Sequence, residues 1–228
     1  MAFETKADVF DEIAPHPDGV HADSQLIHER AYVVRAYRKD DQTLVLRGSV
    51  RDQKPPGLYV PEDPEPLTVH HMIVDLHIAV PSLQITRAKA VLETHPHTGC
   101  PRIEDHYGNL VGLSIARGFT HKVRELFGGP RGCTHTTALL QAMAPVAVQS
   151  LWSFRVAQSN EGDMRGPMAT QEAREGAMAM NMNTCHIWAE DGDQITAIRN
   201  GEPLEAPVWI TKRFQKLGLD PERWRGNS

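Results

Sequence analysis

From Arg30 onward the chain alternates between apolar and polar positions. RAYVVRAYR and TLVLRGSVRD are two β-branched runs separated by the turn-like KDDQ, the pattern of a hairpin. After a loop containing PPG and PEDPEP, the stretch VHHMIVDLHIAV alternates strictly. His71, Ile73, Asp75 and His77 fall on one face and Met72, Val74, Leu76 and Ile78 on the other, as in a half-buried strand. LQITRAKAVLE, beyond Pro81 and Ser82, alternates in part and predicts a second hairpin, for about four antiparallel strands by Glu93.

Past that point the period lengthens. PRIEDHYGNLVGL suits a short helix, and RGFTHKVRELFGG a helix that stops at paired glycines. TTALLQAMAPVAVQSLWSFRVAQ reads as a long apolar helix capped by Thr134 or Thr136, with Pro145 kinking it or marking its early part. Its apolar stretch is too interrupted to span a membrane. Residues 159–183 are small, polar and rich in methionine, and read as a long loop with at most a helical turn, a candidate lid. TCHIWAE and QITAIRNGEP, joined by DGD, predict a C-terminal β-hairpin. The expected fold is α+β: an antiparallel β-meander with helices packed on one face, plus that hairpin. Residues 1–28 are expected to form an irregular arm and residues 29–228 a single α+β domain.

Composition narrows the partners more than the fold. With 228 residues the chain is long enough to bury a real core, and 40% apolar with 23% charged residues is ordinary for a globular protein. A net charge of −5 with both signs interspersed provides no extended basic face, so neither nucleic acid nor a membrane is an expected partner. The first residues are acidic and lack an apolar core, which points to a cytoplasmic protein. Three cysteines, an odd number, argue for free thiols rather than a disulfide framework. A homodimer, if formed, would use the apolar helix that follows Cys133.

Candidate chemistry gathers in two segments. THPHTGCPR holds His95, His97 and Cys100, and GGPRGCTHTT holds Cys133 and His135. Imidazole and thiolate are common ligands of zinc and of borderline transition metals. Cys133 also falls where a glycine-rich turn enters a helix, a placement that favours a thiolate. The bland alternative is that these cysteines are small buried hydrophobes, and Cys185 beside Trp188 fits that reading best. His70 and His71 are neighbours on a strand, so only one can enter a site on a given face. His71, sharing its face with Asp75 and His77, is the expected extra ligand, against the alternative of a solvated strand face. The expectation is one transition-metal ion, zinc ahead of iron, held by His71, Cys100, Cys133 and His135. His95 and His97 would then act as general acid or base on a small-molecule substrate. FGGPRG lacks the residues of a phosphate loop or dinucleotide fingerprint, so nucleotide binding there is unsupported.

The succession YRKDDQTLVLRGSVRDQKP, HHMIVDLHIAV, HPHTGCP, LVGLSIARGFTHKVRELFGGPRGCTH and NTCHIW resembles a bacterial family catalogued as domain of unknown function 2889, over about residues 30 to 200. That resemblance implies bacterial catabolism of aromatic or other hydrophobic carbon sources, with hydrolysis, lyase cleavage and isomerisation all open as the reaction. A more distant resemblance is to iron–sulfur scaffold proteins of the NifU/IscU type, which order a meander, a cysteine, two helices and a second cysteine in the same way. It implies that Cys100 and Cys133 occupy two of the scaffold's cysteine positions, while its early Cys-Gly-Asp falls on Val69, His70 and His71. The first scaffold cysteine is absent here. An iron–sulfur or sulfur carrier and a non-catalytic zinc module are therefore the alternatives to a metal-dependent enzyme.

Overall fold

The computed structural model describes residues 24–158, 170–202 and 204–221. Four strands, β1 (Glu29–Asp40), β2 (Thr43–Lys54), β3 (Leu67–Ala79) and β4 (Gln84–Thr94), form one antiparallel meander in chain order. The alternation read from the sequence is the alternation of burial. Leu44, Leu46 and Val50 of β2, Met72, Val74, Leu76 and Ile78 of β3, and Ile85 and Leu92 of β4 all point into the core. Their odd-numbered neighbours on β2 and β3 face the other way.

Among the described residues, helices pack on that apolar face, and the fold is α+β. After β4 the chain makes 3-10 turns over Cys100–Leu110, burying Tyr107 and Leu110. Helix α1 (Phe119–Phe127) buries Phe119, Val123 and Phe127 at a spacing of four. Helix α2 (Thr134–Gln158) runs on through Pro145 and buries Thr136, Leu139, Leu140, Met143, Ala147, Leu151 and Phe154 along one stripe. Gly48 lets α2 approach: a Cβ there would lie 2.6 Å from Met143 Sδ and 3.1 Å from Leu139 Cδ1. Among the described residues, one face of the sheet therefore lies beneath α2 and the other is left open.

Beyond the sheet the sequence reading needs two corrections. The expected C-terminal hairpin does not form. His186–Trp188 is a single 3-10 turn, and α4 (Asp193–Arg199) is a helix that buries Ile195 and Ile198. Those isoleucines stand three apart, which places them on one helical face and on opposite faces of a strand. Of the loop expected over residues 159–183, the described part from Thr170 on is largely helical, since α3 spans Gln171–Asn181 and Thr170 caps it by accepting the Ala173 N–H at 3.1 Å. Helix α5 (Val208–Leu217) completes the described chain and buries Ile210 and Phe214. Of the arm expected over residues 1–28, residues 24–28 carry no regular structure and the rest lie outside the described residues, as do residues 159–169 of the candidate lid.

Candidate metal centre

The site is built on one row of the sheet. Arg30 of β1 pairs with Asp52 of β2, and Asp52 pairs with His70 of β3, so the three side chains lie abreast on the face beneath α2. Asp52 continues the inward parity of Leu44, Leu46 and Val50, and it is only 1% exposed. His135 reaches the same point from the first turn of α2. Its approach depends on Gly132, where a Cβ would lie 2.6 Å from the Phe127 carbonyl oxygen, and on Tyr107, whose hydroxyl accepts the Cys133 N–H at 2.9 Å.

The ligand atoms converge on a single carboxylate oxygen. His70 Nδ1 and His135 Nε2 each lie 3.2 Å from Asp52 Oδ2, and the three groups place one potential ligand atom apiece within 4.8 Å of each other. The imidazoles stack, with centroids 3.9 Å apart and planes 26° from parallel. Arg30 donates to both carboxylate oxygens, Nε to Oδ1 at 2.5 Å and Nη2 to Oδ2 at 2.7 Å. His28 Nε2 stands 3.9 Å from Oδ1. His70 Nδ1 is buried and forms no hydrogen bond of proper direction with Asp52 or any other described group.

Electrostatics sets the protonation states. Burial pushes the Asp52 carboxyl up, but the hydrogen bonds and charge of Arg30, with smaller contributions from His135 and His28, hold it below the ordinary carboxylate range. His135 is held below the ordinary histidine value, first by burial and then by the neighbouring His70, against an opposing pull from Asp52. Near neutral pH the site thus offers an anionic carboxylate and a neutral imidazole, the forms in which these groups bind metal ions.

Of the residues singled out from the sequence, His135 belongs to this centre and Cys133 adjoins it. Cys133 Sγ lies 3.7 Å from His135 Nδ1, the ring nitrogen remote from Asp52, so the thiol backs the imidazole rather than sharing its ligand position. The structure does not bring the others there. His71 faces the open side of the sheet, where its Nε2 is 3.0 Å from Ser49 Oγ. Cys100 is half-buried and packs against the main core from the 3-10 turns. His95 Nδ1 is 2.9 Å from the His97 carbonyl oxygen, and His97 is exposed. Cys185 is exposed beside a 3-10 turn, in contrast to the buried strand position expected for it.

Asp52 and Arg30 were not singled out from the sequence, and of the neighbours His70 and His71 the expected ligand was His71. The signal was parity: extending the apolar alternation of β2 and β3 to the strand ends puts Asp52 and His70 on the core face, where a helix entering at Cys133 would meet them. The metal site was instead expected on the polar face that carries His71.

Comparison with known proteins leaves the chemistry to these residues. No curated protein and no solved structure matches the chain. A family profile matches residues 28–149, which hold the whole sheet, α1, the start of α2 and all of Arg30, Asp52, His70 and His135. The chain belongs to the family described as protein of unknown function (DUF2889).

Proposed function

We propose that the chain is a metal-dependent enzyme whose single transition-metal ion, zinc ahead of iron, is held by Asp52, His70 and His135. The observation that carries this reading is the convergence of His70 Nδ1 and His135 Nε2 on Asp52 Oδ2, each at 3.2 Å, with the buried His70 Nδ1 left without a hydrogen bond. Ligand atoms about 2.0–2.1 Å from a tetrahedral ion stand about 3.3 Å apart, close to the spacing found. His70 Nδ1 lies beside the Asp52 carboxylate but makes no hydrogen bond of proper direction, which is costly for a buried nitrogen, and an ion in this position would satisfy it. Two histidines and one carboxylate serve both catalytic zinc and non-haem iron(II), and three protein ligands leave a position open for water or substrate.

In this reading Arg30 orients the carboxylate and Cys133 fixes the His135 ring through its other nitrogen. The open position suits hydrolysis or lyase cleavage of a small organic substrate, with an aromatic or hydrophobic compound as the proposed class. Elemental analysis of protein prepared without a histidine tag tests it. Stoichiometric zinc or iron is expected in wild type, Cys100→Ser and His71→Ala, and loss in Asp52→Asn, His70→Ala and His135→Ala. A metal-free wild type, or metal retained in all three of the latter, would overturn it.

The 3.7 Å contact from Cys133 to His135 favours a second reading, in which thiol, imidazole and Asp52 act as a nucleophile, base and orienting carboxylate. A sulfur carrier would use the same thiol as acceptor. Metal-free protein that undergoes stoichiometric alkylation or sulfur transfer at Cys133, and loses it in His135→Ala, would select this reading over the metal enzyme.

A further inference from the structure

The open face of the sheet carries a second constellation, opposite the metal centre and independent of it. Register places Tyr37, Val45, His77 and Arg87 in one row across the four strands, and Arg47, Asp75 and Lys89 in the next. Together they line a hollow of about 420 Å³. We infer that this hollow binds a phosphate monoester, whose phosphate is held by Arg87 and Lys89 and whose organic part rests against Tyr37 and Val45.

Charge is the first argument. Among the Lys, Arg and Asp side chains that line the hollow, Arg47, Arg87 and Lys89 face Asp75 alone, which leaves two positive charges uncompensated in a chain whose net charge is −5. Asp75 is already committed, since its two oxygens accept from Arg47 Nε and Nη2, both at 2.7 Å. Among the described residues the side chains of Arg87 and Lys89 make no hydrogen bond or contact ion pair, and both are exposed. They stand two residues apart on β4 and so point to the same face, where like charges repel unless an anion lies between them. Lys89 also helps to hold Asp75 below the ordinary carboxylate range, after Arg47 and His77, so its field reaches into the hollow.

Shape and chemistry choose the anion. A phosphate monoester carries close to two negative charges at neutral pH and presents three acceptor oxygens, matching the uncompensated pair of cations. Arg87 can engage two of those oxygens with its planar fork, while Lys89 supplies a point charge. Tyr37 keeps 48% of its surface exposed at the β1 side of the hollow, an aromatic wall for a ring or chain attached to the phosphate.

The test is titration of the whole chain with phenyl phosphate at physiological salt, followed by amide chemical shifts and calorimetry, alongside the double variant Arg87→Ala/Lys89→Ala. Saturable binding is expected, with shifts confined to the residues of β1 to β4 that line the hollow and affinity at least about tenfold weaker in the variant. Inorganic phosphate should bind at the same residues more weakly. An absence of saturable binding, binding unchanged in the variant, or malonate binding as tightly as phenyl phosphate would overturn the assignment. The variant should keep the metal content and melting temperature of wild type, so the outcome is separate from that of the metal-centre experiment.

Discussion

Arg30 grips Asp52 across β1 and β2 through contacts of 2.5 and 2.7 Å, and Arg47 grips Asp75 across β2 and β3 through two of 2.7 Å. The forks are nearly the same in geometry and sit in one sheet, but they lie on opposite faces. Asp52 is beneath α2 with its side chain 2% exposed and two imidazoles against it, whereas the Arg47 side chain is 61% exposed and the hollow around Asp75 is open to water. Identical pairing therefore has two different meanings. A buried carboxylate must be paid for by all its neighbours and in return organises them; an exposed one mainly orients an arginine.

The largest expected difference is in stability. Asp52→Asn should lower the unfolding free energy by about 2–3 kcal/mol, less than for a fully buried pair because Arg30 keeps about a third of its side chain in water. Asp75→Asn should cost below about 1 kcal/mol. Urea denaturation of the two variants measures this, and equal losses would break the comparison. Next comes metal affinity, where His70→Ala should lose more than the roughly 10–100-fold that outer-sphere changes cost, while His71→Ala on the opposite face should leave affinity unchanged. Competition with a chromogenic chelator reads both.

A smaller effect concerns pH. Both Asp52 and His135 have folded values below their ordinary ones, so the unfolded chain binds protons more readily than the folded one. In the metal-free protein stability should be fully present near neutral pH, begin to fall below about pH 6.5 as His135 protonates preferentially in the unfolded chain, and fall further below about pH 4 through Asp52. Asp52→Asn should remove the lower limb of a melting-temperature profile, and a profile unchanged by that substitution would contradict the role given to the carboxylate. The smallest change is expected for Cys133→Ser, which keeps a polar partner behind His135 and should weaken metal binding by about tenfold at most. Cys185→Ser, at an exposed position, should do nothing.

The sheet was legible because one face is apolar and strand parity has no other solution: Met72, Val74, Leu76 and Ile78 are buried as the alternation requires. The same parity, carried two residues further, contains Asp52 and His70. It went unread there because polar residues at the end of an apolar run look like the strand's exit into solvent, and only the position of the α2 start shows that they are covered. His135 was legible from its place after a glycine-rich turn at a helix entrance. The C-terminal hairpin failed for a different reason: in a stretch as short as QITAIRN, the pair Ile195 and Ala197 supports a strand as well as Ile195 and Ile198 support a helix, and length could not arbitrate.

The Tyr107 hydroxyl joins two distant parts of the chain. Fully buried and stacked on Phe127 with ring centroids 4.7 Å apart, it ties the 3-10 turns to the entrance of α2 through the Cys133 amide. His135 can be registered against the sheet only once that closure is complete, because Asp52 and His70 belong to strands far earlier in the chain. Ion capture would then report on closure itself: it adds stability only to the fully assembled state, by RT ln(1 + [M]/Kd), and leaves partly opened forms untouched. The Cys133 amide should accordingly be among the slowest to exchange with deuterium when metal is present, and should accelerate on chelation while amides in the middle of β3 hold their rates.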